Sequence, residues 1–164
     1  MSGASSFIVV DTSAAVEVLV AEAEFRDAYL ELFDQLRVDG FGLAYSDAIV
    51  PELLEAAYTW DARRSGDRDW RRLRRAGLLR RSRARELTIL HEWDSFTEGW
   101  RTQAVGIRAV ALSAARLMTD TGLSSLDATH LATAIHVGAG IVSHDRGLIR
   151  VAEQYTAAVT MRDA

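Results

Sequence analysis

The sequence predicts an α/β domain built on an open, mainly parallel sheet of four to five strands flanked by helices, and three observations carry that prediction. Short apolar runs alternate with longer stretches in which apolar residues recur every three or four positions, the strand and helix alternation of parallel sheets. Two of the runs, Phe7-Ile8-Val9-Val10 and Ile141-Val142, lack a polar alternate, as strands covered on both faces do. Each is followed closely by an aspartate, Asp11 or Asp145, at the carboxyl edge where open parallel sheets bind ligands.

The first strand is Phe7 to Val10, and Asp11-Thr12-Ser13 opens a helix to about Glu22. In a second helix Phe25, Tyr29, Leu32, Phe33 and Leu36 recur at helical spacing until the Asp39-Gly40 turn. Phe41 to Tyr45 is the second strand. Ser46 or Asp47 then caps a helix that carries Ile49, Leu53, Ala56, Ala57 and Trp60 on one side, with Pro51 near its start, where proline is best tolerated. Trp70, Leu73, Ala76, Ala84, Leu87 and Leu90 sketch an apolar stripe broken at Gly77, so the arginine-rich segment reads as helical. A short strand at Arg101 to Val105 precedes a helix with Ile107, Val110, Ala111, Ala114 and Met118 on one face, ended by Gly122. Ser124 and Ser125 open an almost wholly apolar, hence buried, helix from Leu126 to Val137. Gly138 and Gly140 lead into Ile141 to Ser143, and a helix from Arg146 to Gln154 and a strand from Thr156 to Thr160 complete the chain.

With 164 residues, 49% of them hydrophobic, the chain is expected to form one domain over 1–164, with 63–98 as a helical, arginine-rich insertion within it. The absence of cysteine excludes disulfides and thiolate sites and suits a reducing compartment. Met1 to Ser6 lacks the basic start and apolar run of a signal peptide, and no apolar segment approaches the ~20 residues of a bilayer span. A cytoplasmic protein with no membrane partner is therefore expected.

The net charge of −4 conceals an asymmetry. From Arg63 to Glu86 eleven arginines face Asp67, Asp69 and Glu86, a local charge of +8 that leaves −12 for the remainder. A block of one sign on an otherwise acidic chain is suited to a partner of opposite sign, and Arg71, Arg72, Arg74 and Arg75 are the candidates for binding RNA or a protein partner.

Asp11, Glu52, Asp127 and Asp145 are the candidate catalytic and metal-binding residues. Singly, each has another role open to it. Asp11 and Asp145 suit helix caps, Asp127 follows Ser124 at capping-box spacing, and Glu52 suits the positive end of a helix dipole. Together, two strand ends and two helix starts can converge at one sheet edge, where four carboxylates repel unless a divalent ion neutralises them. Carboxylates without histidine or cysteine partners suit Mg²⁺ or Mn²⁺, and such ions suit phosphoryl transfer. Thr12, Ser13 and Ser143 stand beside the acids as candidates to orient water or phosphate, and Arg146 could hold a phosphate. Glu55 rivals Glu52 one turn along the same helix. His130 reads as a buried, hydrogen-bonded histidine, and strand alternation points His144 away from Asp145.

Val9-Val10-Asp11-Thr12-Ser13, Ser46 through Pro51-Glu52-Leu53-Leu54, Gly122 through Asp127-Ala128-Thr129-His130-Leu131-Ala132, and Ile141-Val142-Ser143-His144-Asp145 follow one another in an order and spacing that is fairly specific. In these segments, and over almost its whole length, the sequence resembles the PIN-domain ribonucleases, particularly the VapC-like toxins of type II toxin–antitoxin pairs. The resemblance implies a PIN-like sheet flanked by helices with an arginine-rich helical clip. It further implies a divalent metal on Asp11, Glu52, Asp127 and Asp145, a single-stranded RNA substrate, a homodimer and, for a toxin, a cognate antitoxin. A housekeeping RNA-processing nuclease and a non-catalytic RNA- or protein-binding module are the alternatives.

Overall fold

The computed structural model describes residues 6–66, 68–77 and 79–161, so Asp67 and Met1 to Ser5 lie outside the described residues. Five parallel strands run in the order β3-β2-β1-β4-β5: β1 (Phe7–Val10), β2 (Gly42–Ser46), β3 (Thr102–Val105), β4 (Gly140–Val142) and β5 (Ala158–Val159). Chain order reverses direction across the sheet at the β1/β4 pair, where Val10 is in register with Val142. Helices α1 (Thr12–Leu19), α2 (Arg26–Val38), α3 (Ile49–Arg64), α4 (Trp70–Arg75), α5 (Arg83–Thr97), α6 (Ile107–Thr121), α7 (Ser125–Val137) and α8 (Arg146–Ala152) connect and cover the strands.

The strand pleat explains the two cores. Ile8 and Val10 point to one face, where they meet Val18, Tyr29, Phe33, Leu53 and Trp93 of the helices on that side. Val9 points to the other, with Ala44, Val110, Ala114, Leu131 and Leu148. Each fully buried aliphatic side chain contributes roughly 1.5–3 kcal/mol. With both faces covered, β1 and β4 needed to be apolar throughout, which is what made them readable, whereas edge strand β3 exposes Thr102, Gln103 and Ala104.

Several elements differ from the sequence expectation. Helix α1 ends at Leu19, with Val20 as its extended cap, rather than near Glu22. The arginine-rich stretch breaks at Gly77 (φ +67°) into α4 and α5, but its buried face is Ile89 and Trp93, while Leu87 is exposed and α4 buries no residue. In α6 the buried face is Val110, Ala114 and Leu117, and Ile107 and Met118 are exposed. Both errors are of helical phase, because small residues such as Ala84 and Ala111 fit either face. Asp47 does not cap α3; its carboxylate accepts the Ile107 N–H at 3.1 Å and so caps α6 across the sheet edge. Helix α8 stops at Ala152, and Leu126 and Ile135 leave α7 less than wholly buried.

Candidate functional site

Parallel pairing of β1 with β4 sets the next residue of each strand side by side. The Asp11 N–H donates to the Val142 carbonyl at 3.0 Å, and the Ser143 hydroxyl donates to Asp11 Oδ2 at 2.8 Å. Asp11 then caps α1 by accepting the Ser13 N–H at 3.2 Å, and the Ser13 hydroxyl also donates to Oδ2. Two residues beyond Ser143, Asp145 caps α8 through the Gly147 and Leu148 N–H groups at 2.6 and 3.0 Å. The capping roles open to these two aspartates are thus filled, and filled at the sheet edge where ligands bind.

Helices bring the other two acids to the same cleft. α3 follows β2 and presents Glu52 in its first turn, 10% exposed at the side chain. Glu52 Oε2 accepts the Thr12 hydroxyl and lies 2.7 Å from His130 Nε2. α7 packs on β1, β2 and β4 and carries Asp127 and His130 three residues apart on one face. Asp127 accepts the Ser124 hydroxyl at 2.7 Å, while His130, fully buried, places Nε2 3.6 Å from Asp11 Oδ1. The sequence expectation of a buried, hydrogen-bonded histidine is met at His130. Glu55 also faces the cleft but sits 3.7 Å from Arg81, apart from Asp11.

All four acids line one cleft of about 610 Å³. Its charges are felt from element to element: burial pushes the Asp127 carboxyl up, and the charges of Asp11 and Asp145 push it further, against the lowering effects of Ser124 and His130. Burial alone would push the His130 imidazolium down, but the Glu52 hydrogen bond and the charges of Asp11, Glu52 and Asp127 outweigh it, and the net shift is upward.

Among the described residues no three of these side chains stand positioned to grip a single ion. Asp11 and Glu52 are instead held by His130, whose Nε2 lies 2.7 Å from Glu52 and 3.6 Å from Asp11. The donor set nonetheless fits a hard divalent cation. It is all carboxylate oxygen, from two strand ends and two helix starts, and Glu52 Oε1 is buried with no hydrogen-bond partner. An orphaned buried carboxylate oxygen is costly unless a cation or donor meets it.

A pH dependence follows for the metal-free protein. His130 has its value raised by folding, so its stabilisation is fully present below about 6.5 and is lost as pH rises through the folded-state value. Asp127, also raised, acts with the same sign at lower pH. The unfolding midpoint of chelator-treated protein should therefore fall as pH is raised from 6 to 8, and Mn²⁺ should stabilise more at the upper end, where it no longer competes with the proton. A midpoint that rises over this range would contradict the arrangement.

The remaining sequence candidates fall into place less evenly. Thr12, Ser13 and Ser143 spend their hydroxyls on Glu52 and Asp11, and Ser13 and Ser143 also receive the His144 and Asp145 N–H groups at 2.8 and 2.9 Å. Arg146 is exposed on the first turn of α8. His144 lies past the end of β4, where strand alternation no longer applies; its ring packs tilted against Phe25 and edge-on to Tyr29 and still borders the cleft. Of the four arginines, Arg74 borders the cleft, whereas Arg71, Arg72 and Arg75 line a separate depression on α4. Sequence reasoning missed Glu17, Trp60 and Arg63, which also border the cleft. Trp60 and Arg63 lie two and three turns beyond Glu52 on one face of α3, a spacing that pointed to them once Glu52 was chosen.

Comparison with known proteins matches the PIN domain over residues 8–154. VapBC2 from Rickettsia felis, solved bound to a DNA fragment from its promoter, is similar in fold, with TM-score 0.62, 14% identity and coverage of 94% of this chain and 98% of that one. PAE2754 from Pyrobaculum aerophilum gives 0.54 at 17% identity, covering 94% and 85%. FitAcB from Neisseria gonorrhoeae gives 0.53 at 15% identity, covering 93% and 96%. Among curated proteins the chain has no match.

Proposed function

The chain belongs to the PIN-domain family, and from that membership and its acidic cleft we propose that it is a Mg²⁺- or Mn²⁺-dependent endoribonuclease of single-stranded RNA, the toxin of a toxin–antitoxin pair. The observation that carries the reading is the convergence of Asp11, Glu52, Asp127 and Asp145 in one cleft, with the charges of Asp11 and Asp145 acting on Asp127.

In this reading the four carboxylates hold the cation. When bound, it would acidify a water and offset charge on the phosphodiester under attack. The protein's own groups fix the acids. Ser13 and Ser143 lock the Asp11 carboxylate from one side, and Thr12 and His130 lock Glu52 from another. His130 places Nε2 between Glu52 and Asp11, and a proton carried there would limit their repulsion before the cation enters. A cytoplasmic homodimer is part of the proposal, supported by the exposed Ile107, Leu112 and Met118 along α6. No helix among the described residues is long and apolar enough to cross a membrane.

The test is to incubate the purified chain with total RNA and Mg²⁺, Mn²⁺ or chelator, and separately to express it alone and with its neighbouring gene product. Metal-dependent cleavage, growth arrest on lone expression and relief by the neighbour are expected. Cleavage with harmless lone expression would replace the toxin role by RNA processing, and no cleavage with either ion would leave a binding module.

A further inference from the structure

The cleft does not end at the acids. It continues along α3 past Thr59 to Trp60 and Arg63 and is bordered there by Arg74 of α4. Arg63 stands eleven positions after Glu52. At 1.5 Å of rise per residue this places the arginine on the order of 16 Å along the helix from the acid. A single cleft therefore joins an anionic end to a remote cationic end.

The arginines at that end differ from five others of their block. Arg64, Arg72, Arg81, Arg83 and Arg85 are ion-paired with Glu22, Asp69, Glu55, Glu86 and Asp61. Among the described residues neither Arg63 nor Arg74 has an acidic partner. Arg63 is held instead over the Trp70 ring, 5.4 Å from its centroid, a contact that leaves its N–H donors available. Trp60 borders the cleft with a shielded indole N–H that has no hydrogen-bond partner among the described residues. A buried donor without a partner calls for an explanation, and an acceptor on an entering ligand would supply one.

We propose that Trp60, Arg63 and Arg74 form a nucleotide subsite remote from the scissile bond, in which the two arginines receive a backbone phosphate and the indole receives a base or ribose of single-stranded RNA. The proposal rests on the ribonuclease reading above. RNA is favoured over an acidic peptide because the same ligand must present a phosphodiester to a cation at the carboxylate end and anionic and flat groups to arginine and tryptophan at the other. A strand lying along the cleft does both. Because the subsite lies away from the reacting atoms, it contributes binding shared by ground and transition states.

The test is steady-state cleavage of an RNA oligonucleotide that the wild type cuts, and of versions shortened one nucleotide at a time from either end, over a series of salt concentrations. R63Q/R74Q should raise KM roughly tenfold and lower the salt slope by about 0.7, one phosphate's worth on a single strand. Its kcat should stay within about twofold of wild type, as loss of uniform binding requires. Trp60→Leu should raise KM by roughly fivefold or more without altering the salt slope. On the RNA shortened past the subsite, all variants should match wild type. Arg80→Gln, which removes a charge from the same segment in a different depression, controls for net charge. Unchanged KM and slope in R63Q/R74Q while the wild type cleaves would overturn the subsite and leave the nuclease reading standing. An equal rise in KM on full and shortened RNAs would also overturn it, as would weakened binding of polyglutamate with no change toward RNA. If the wild type cuts no RNA with Mg²⁺ or Mn²⁺, the nuclease reading falls first and the subsite with it.

Discussion

Replacing Asp145 with asparagine is expected to reduce metal-dependent cleavage by at least about 100-fold while leaving folding almost unchanged. Asparagine caps a helix about as well as aspartate, so the bonds from the Gly147 and Leu148 N–H groups should survive and stability should shift by only a few tenths of a kcal/mol. The charge is lost, and changes even to groups that merely support a metal ligand cost 10–100-fold, so loss of a ligand itself should exceed that range. Asp11→Asn should have the same kinetic effect, since the amide oxygen can still accept from Ser13 and Ser143. Cleavage rates and circular dichroism melts of both variants check this. Wild-type rates in both would reduce these residues to caps.

The largest stability effect is expected at His130. Its imidazole is fully buried, 2.7 Å from Glu52 and 3.6 Å from Asp11, and His130→Ala would leave two poorly solvated carboxylates facing each other over a cavity. Breaking a buried charge pair by removing one partner costs roughly 3–5 kcal/mol. For a domain of this size that corresponds to a fall in unfolding midpoint on the order of 10 °C. The loss should be greatest in chelator and partly recovered by Mn²⁺, because the ion replaces the missing positive charge. Equal losses with and without Mn²⁺ would show that His130 matters only as a packed core residue.

The acids were legible in the sequence because a parallel sheet leaves strand ends and helix starts at one edge, and Asp11, Glu52, Asp127 and Asp145 each mark such a boundary. Strands β1 and β4 were legible because burial on both faces demanded unbroken apolar runs. The faces of α5 and α6 were not, since alanine and arginine stems satisfy either side of a helix and only tertiary packing selected Ile89, Trp93 and Leu117. Nor could the charge of the arginine block predict its partners. Five of its members are paired with acids on other turns or elements, and α4 turns Arg71, Arg72 and Arg75 one way and Arg74 another. Thr12, Ser13 and Ser143 were identified as neighbours of the acids, but that they hold the acids in place emerges only from the pairing of β1 with β4 and the packing of α1 on α3.

The measurement that bears most directly on the four carboxylates as one cation site is a Mn²⁺ titration followed by electron paramagnetic resonance, in which free Mn²⁺ gives signal and bound Mn²⁺ does not. It needs no substrate and no turnover. The wild-type protein is predicted to bind Mn²⁺, to release it to excess Mg²⁺, and to bind it at least about tenfold more weakly in Asp11→Asn, Glu52→Gln, Asp127→Asn and Asp145→Asn alike. Binding that none of the four substitutions weakens, or no binding at millimolar Mn²⁺, would contradict it.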